Sequence, residues 1–312
     1  YTWDGMSYGH GAALPVGSDS IAFGREMVRQ GKKNLNLISN CNSQQSNLLA
    51  AVGAVSRIEV GFSGLEVYGF ANGLKRAVES GQTVLEDYSN GAMPLRLLGG
   101  ALNWPFVPAT ICIGNDQQWC CADNPDEYPS KSKIPEITDP FTGRKYAAFS
   151  VLKPDVGAIH VTMADMYGNA IMLGSEWNRY ELSRAAKKVV LQADFIVDTD
   201  CIKQYPNLVR IPGEVVDAVV CWPMGVWPAC SVGVYDSDEE HMFAMNKALK
   251  TSEDTEAYVQ EYVFGYNTRE EYLGMIGEEK IEKLCNNPTT HLMDPYRKWI
   301  KSDAEIKELE GR

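Results

Sequence analysis

An open α/β fold, in which a mostly parallel sheet is covered by helices and followed by a helical C-terminal extension, is what this sequence predicts. Three observations carry the expectation. Strand-like and helix-like segments alternate over residues 1–237. The strand-like runs end in small or polar loops. Beyond residue 237 the pattern turns helical and strongly charged, so 238–312 reads as an appended helical unit. Alternation of this kind selects a parallel sheet, because each crossover helix must lie on a sheet face.

Each element has a local cause. Residues 1–4 read as the tail of a first strand, followed by the loop Gly5-Met6-Ser7-Tyr8-Gly9-His10-Gly11. Residues 21–30 have helical spacing and stop at Gly31, a residue suited to the left-handed end of a helix. Strands are expected at 34–39 and 57–62, ending in loops at 40–46 and 63–64. Helices follow at 69–79 and 89–102, with Pro94 in a first turn that tolerates it. Residues 115–145 are polar and proline-rich, and read as an excursion or lid outside the core. A second set of strands is expected at 147–152, 156–163, 170–173, 189–193 and 215–221, with a short helix at 181–187. Ligands of such sheets bind beyond the carboxyl ends of the strands, where the loops at 5–11, 40–46 and 63–66 would gather.

Composition narrows the function. The chain has 312 residues, 45% of them hydrophobic and 22% charged, enough for a sizeable core. A net charge of -12 argues against a nucleic-acid face, which needs clustered Lys and Arg. The densest basic stretch, Arg25, Arg29, Lys32 and Lys33, reads as a solvated helix face. No run approaches the roughly 20 apolar residues that cross a bilayer, so no membrane partner is expected. The eight cysteines (Cys41, Cys112, Cys120, Cys121, Cys201, Cys221, Cys230 and Cys285) form no CxxC pair, and no histidine lies at zinc-ligand spacing. Free thiols in a reducing cytoplasm and no metal are the expectation, with Cys112 and Cys221 in the core.

The candidate motifs mostly have plain readings. His160 lies within an apolar strand, and no Ser or Cys sits in a nucleophile setting such as G-x-S-x-G. It reads as structural, fixing a strand edge or a subunit contact. Residues 165–169 (DMYGN) read as a hairpin turn in which Asp165 accepts from the following amides. Neither 5–11 nor 61–69 has the order of a phosphate loop, so nucleotide chemistry has little support. Glu86-Asp87 and the cluster 236–240 would each favour the start of the helix that follows.

The run 154–170 (PDVGAIHVTMADMYGNA) resembles one in the class I coenzyme A transferases, specifically the alpha subunit of the glutaconate type. Arg29-Gln30-Gly31, Leu85-Glu86-Asp87-Tyr88-Ser89, 102–108 (LNWPFVP), 211–220 (IPGEVVDAVV), Gly233-Val234-Tyr235-Asp236, 251–264 and Glu271-Tyr272-Leu273 follow in the same order. Taken in order they span nearly the whole chain, and they identify it as a member of that family with the CoA-transferase, NagB/RpiA-like fold. Relatives begin with a helix and a strand before the Gly5 loop, so a preceding segment is expected here.

The resemblance implies ping-pong exchange of CoA between an acyl-CoA and a carboxylic acid through a glutamyl-CoA thioester. It places the glutamate on a beta subunit, in an A2B2 or larger assembly, and leaves this chain without a catalytic residue. CoA thioester is substrate, and no cofactor is bound permanently. This chain would supply the far wall of the pocket: Ser7, Tyr8, His10, Asn40, Asn42, Gln44, Ser63, Glu66 and Asn90. The glutaconate enzyme carries Thr-Thr-Asp-Arg-Lys where this chain has Ser7-Tyr8-Gly9-His10, and a serine where it offers Leu65-Glu66, which argues against glutaconate. Trp3, Tyr8, Tyr68 and Trp104 suggest a larger or more apolar acyl group. A sister branch, the ring-opening hydrolases of cyclic CoA thioesters, resembles the chain too, but its acidic stretch is replaced by Ser89-Asn90-Gly91, leaving Glu86 and Asp87 as the nearest carboxylates. A non-catalytic CoA-binding subunit is the third reading.

Overall fold

A computed structural model describes residues 1–11, 17–41, 43–119 and 133–310. In chain order the first half comprises β1 (Ser7–His10), α1 (Ile21–Arg29), β2 (Leu35–Cys41), α2 (Gln44–Ala51), β3 (Val55–Phe62), α3 (Asn72–Glu79), β4 (Val84–Asp87) and α4 (Ala92–Ala101). Then come β5 (Val107–Ala109), β6 (Glu136–Thr138), β7 (Lys145–Phe149), β8 (Val156–Ala164), β9 (Ala170–Ile171), α5 (Arg179–Ala185), β10 (Lys188–Ile196), α6 (Thr199–Gln204), β11 (Val209–Ile211) and β12 (Ala218–Cys221). Helices α7 (Glu239–Ala248), α8 (Ser252–Tyr262), α9 (Arg269–Ile276), α10 (Glu278–Cys285) and α11 (Asp303–Glu310) complete the chain.

Parallel pairing runs β4-β3-β2-β1-β8-β10-β12. Strand β9 turns back antiparallel on the upper end of β8 and pairs with β11. The hairpin turn is built as expected: Asp165 Oδ1 accepts from the amides of Tyr167 and Asn169 at 3.0 and 2.9 Å. The chain fills the sheet outward from β1 in one direction, then returns to β8 and fills it in the other. The reversal between β1 and β8 makes this the topological switch point, beyond whose carboxyl ends ligands of open α/β sheets bind.

Side chains alternate between two cores, as the pleat requires. Leu35, Leu37, Val156 and Ala158 face α1, α2 and α3 through Met27, Leu49, Ala50, Leu74 and Ala77. Ile38, Ile159 and Val161 face α4 and α5 through Met93, Leu97, Leu182 and Ala185. Met242 of α7 is buried in the first core, while Ile306 and Leu309 of α11 pack against the second. The C-terminal helices thus reach both faces of the sheet.

Several expectations need correction. The stretch read as a loop at Ser7 to His10 is itself the first strand, hydrogen-bonded between β2 and β8. His160 is not at an edge, because β8 is central, and its ring is fully enclosed. Its Nε2 lies 3.1 Å from Asp194 Oδ2 and 3.3 Å from Ser231 Oγ, while Gln192 Nε2 meets Nδ1 at 3.3 Å. Serine and aspartate share one ring nitrogen, so this is a buried clamp and not a nucleophilic relay. The basic stretch is not solvated throughout: Arg25 is buried with its guanidinium 5.1 Å from the Trp227 ring, and Arg29 lies 4.3 Å from that of Tyr266. Glu86 does not serve a helix terminus. It is a buried β4 residue paired with Arg57 at 3.0 Å and Lys133 at 2.6 Å. Flanks of the 115–145 excursion are anchored in the interior, with Gln118 and Ile134 buried. Cys112 is buried as expected, Cys221 only half-buried, and Cys120 and Cys121 lie outside the described residues.

Candidate active site at the carboxyl edge of the parallel strands

Strand β1 delivers His10 to the switch point. Its ring is buried, with Nδ1 3.3 Å from Asp19 Oδ1. Asp19 also accepts from Ser43 Oγ at 2.5 Å and Gln45 Nε2 at 3.0 Å. Ser43 is there because it caps α2, in a reciprocal capping box with Ser46. Arg179, the first residue of α5, closes the other side. It donates to the carbonyls of His160 and Ser175. Burial brings its guanidinium down to about 10, against the opposing pull of Glu176 and Asp19. A Cβ on Gly11 would overlap Arg179 Cγ, so glycine is what lets the strand end pass this side chain.

A second shelf lies at the ends of β2, β3 and β4. Gly61 in β3 admits Asn90: a Cβ there would stand 2.7 Å from Asn90 Oδ1 and 2.9 Å from the Asn40 carbonyl. Cys41 Sγ approaches Asn90 Oδ1 at 3.6 Å. Burial, then the nearby Glu66 carboxylate, push the Cys41 thiol up to about 11. Glu66 has a backbone φ of 55°, in the left-handed region that non-glycine residues rarely occupy. Backbone bonds from Leu65 to Gly69 at 2.8 Å, Tyr68 to Leu65 at 3.0 Å and Gly69 to Glu66 at 3.0 Å hold it there.

Several buried polar atoms on this edge have no hydrogen-bond partner among the described residues: His10 Nε2, Asn40 Oδ1 and both amide atoms of Gln44. Unpaired buried polar groups are costly and few in native proteins. Four such atoms stand together at this sheet edge.

The sequence-derived candidates sort by geometry. His10, Asn40, Gln44, Ser63, Glu66 and Asn90 gather at the carboxyl ends of β1 to β4. Asn42 lies outside the described residues. Ser7 stands at the opposite end of β1, where its amide and hydroxyl both bind Asp155 Oδ2 at 2.8 Å. Tyr8 is buried behind the site and donates to Gln45 Oε1 at 2.5 Å. Of the aromatic residues expected to shape an acyl pocket, Tyr8 and Tyr68 are core residues. Trp3 precedes β1, and Trp104 follows α4 beside Asn103, which bonds Lys153 near the amino end of β8. Neither tryptophan reaches the carboxyl edge. Asp19 and Arg179 were missed by sequence reasoning. The only signal for Asp19 was the polar triplet Ser18-Asp19-Ser20, which reads as a helix start. Among the described residues no His/Cys/Asp/Glu group is placed to hold a metal, and no helix is long and apolar enough to cross a membrane.

Such an edge can bind and orient polar substrate atoms. Of its carboxylates, Asp19 is engaged by the side chains of His10, Ser43 and Gln45, and Glu66 stands exposed.

Comparison with known proteins agrees with this architecture. Residues 5–221 match the family model of coenzyme A transferase. An uncharacterized protein of Archaeoglobus fulgidus is 36% identical over 83% of this chain, which spans 56% of that relative's length. The A-type subunit of glutaconate CoA-transferase from Acidaminococcus fermentans is 28% identical over 83% of each chain. The crystal structure of glutaconate CoA-transferase from that organism superposes with a TM-score of 0.84 at 24% identity, over 98% of this chain and 96% of that one, showing the same fold. With the family model covering more than half of its length, the chain belongs to the coenzyme A transferase family.

Proposed function

We propose that this chain is the alpha subunit of a hetero-oligomeric CoA-transferase, completed by a beta subunit in an A2B2 or larger assembly within a reducing cytoplasm. A glutamate carboxylate from the partner chain attacks the acyl-CoA carbonyl. The C–S bond breaks, giving an acyl-glutamyl anhydride and CoA thiolate. The thiolate attacks the glutamyl carbonyl and releases the first carboxylate, leaving glutamyl-CoA. The incoming carboxylic acid reverses these steps. His10, Asn40, Gln44, Ser63, Glu66 and Asn90 form this chain's wall of the pocket, with Asp19 and Arg179 holding His10 and the switch point.

The carrying observation is the set of buried polar atoms at the switch-point edge with no hydrogen-bond partner among the described residues, beside a carboxylate, Asp19, already engaged by His10, Ser43 and Gln45. A chain that supplies binding groups without a nucleophile fits one half of a shared site. Ring-opening hydrolysis would call on Glu86 or Asp87. Glu86 is held between Arg57 and Lys133, and Asp87 accepts from Gln117 at 2.9 Å, which counts against that reading.

The test is CoA exchange between an acyl-CoA and free carboxylates, with the chain alone and with its co-purified partner. The proposal expects exchange only with the partner, and parallel double-reciprocal plots. Exchange by the chain alone, or hydrolysis without exchange, contradicts it.

A further inference from the structure

We propose that Glu66 is a specificity-determining residue that favours acyl groups carrying a hydrogen-bond donor, a hydroxyl or ammonium, and turns away a second carboxylate. The inference rests on the CoA-transfer reading above and names the substrate class of that same site.

The argument starts from the backbone. Left-handed φ at a glutamate costs energy unless surrounding structure enforces it, and such strain gathers at functional positions. Here the enforcement is explicit. The loop is closed by the three backbone bonds within 65–69 and gripped from α7, where Asn246 Nδ2 donates to the carbonyls of Tyr68 at 2.8 Å and Phe70 at 2.9 Å. Exposed side chains on flexible loops do not need such support. Glu66 nevertheless stands exposed, close enough to Cys41 to raise its thiol, at the edge it shares with Asn90 and with Asn40, whose Oδ1 has no hydrogen-bond partner among the described residues.

Charge then decides what the shelf accepts. Among the described residues no salt bridge joins Glu66 to a Lys, Arg or His. Arg179 is already committed to three backbone carbonyls, those of Glu176, His160 and Ser175, and faces Asp19 and Glu176. A substrate carboxylate arriving at Glu66 meets a like charge without a compensating cation, on a chain of net charge -12. A hydroxyl or ammonium meets an acceptor with free lone pairs. Selection by an unfavourable pairing of this kind is specificity by exclusion.

The experiment uses the complete hetero-oligomer and compares glutaryl-CoA, butyryl-CoA and 4-hydroxybutyryl-CoA as donors to acetate. The wild type should prefer the hydroxylated donor to the dicarboxylate by about tenfold or more in kcat/KM. Glu66→Gln and Glu66→Asn should each raise the glutaryl-to-butyryl ratio about tenfold, mainly through KM. Asparagine tolerates the left-handed backbone, so it guards against loss of the loop. An unchanged ratio in both variants, with exchange running, overturns the role of Glu66 and leaves CoA transfer standing. No exchange from any donor by the wild type overturns both.

Discussion

Asn246 on α7 donates its side-chain amide to the carbonyl of Tyr68 at 2.8 Å, so a helix from the C-terminal part of the chain sets the loop that carries Glu66. The same side chain donates to Phe70, and Asn246 Oδ1 accepts from the amide of Asn72 and from Asn47 Nδ2, both at 3.1 Å. Asn47 in turn accepts from the amides of Gly73 and Leu74 at the start of α3. One buried amide thus ties α2, α3, α7 and the loop together.

Asn246→Ala should therefore cost about 3 kcal/mol, since it removes several bonds and leaves buried groups unpaired. Urea unfolding of the variant measures it. Asn246→Asp keeps the size but cannot donate to two carbonyls, and should be comparably destabilising. A loss below about 0.5 kcal/mol in both would show that the loop is held otherwise.

Glu86 offers a prediction that separates structure from chemistry. It is buried with Arg57 and Lys133, while the neighbouring Glu59 takes Arg96 at 2.8 Å. Removing one partner of such a network leaves uncompensated buried charge, so Glu86→Gln should destabilise by about 3 kcal/mol. Activity per folded molecule should hold. A stable but inactive variant would point to Glu86 as a chemical group and revive ring-opening hydrolysis.

His241 should make stability depend on pH. Its ring is packed 4.0 Å from Trp227 and meets Tyr258 Oη at 2.9 Å, with Arg25, Asp238 and Lys280 around it. Burial first, and then Arg25, push its pKa down to about 3. The unfolded chain takes a proton near pH 6.5 and the folded chain does not, so stability falls as pH drops below about 6.5 towards 3, by up to about 1.4 kcal/mol per pH unit. Chemical denaturation at pH 6.5 and 5 should show this slope in the wild type. His241→Phe, which keeps a ring against Trp227, should be flatter by that amount; equal slopes would contradict it.

Gly11→Ala places a methyl against Arg179 Cγ and should displace that guanidinium from the carbonyls it binds at the switch point. Overpacking of this type costs about 1–3 kcal/mol. The expected readout is a lowered melting temperature together with a raised KM for acyl-CoA in the complex. A melting temperature and KM equal to the wild type would place Arg179 outside the site.

The same glycine shows where local pattern stopped being informative. Three glycines in 5–11 look like a loop, and a four-residue strand has too little periodicity to override them. Gly9 and Gly11 are small because Leu182 and Arg179 of α5 press on them, with Leu182 Cδ1 only 2.5 Å from where a Gly9 Cβ would stand. That contact is made by residues far along the chain and leaves no local mark. Arg25 was misread for the same reason, since its aromatic neighbours Trp227 and Tyr272 come from the other end of the sequence. By contrast, α1 and β8 depend on their own spacing and were legible, as was the gathering of His10, Asn40, Gln44, Ser63, Glu66 and Asn90 at one sheet edge. Asp19 and Arg179 were not, because a buried charge is recognised by what encloses it.

The most direct test is intact-protein mass spectrometry of the natively purified complex after brief exposure to an acyl-CoA and mild quenching. The account predicts a CoA-sized adduct on the co-purifying partner chain and none on this one. An adduct on this chain, or consumption of the acyl-CoA with neither chain modified, would contradict a shared site in which this chain binds the acyl group and its partner supplies the nucleophile.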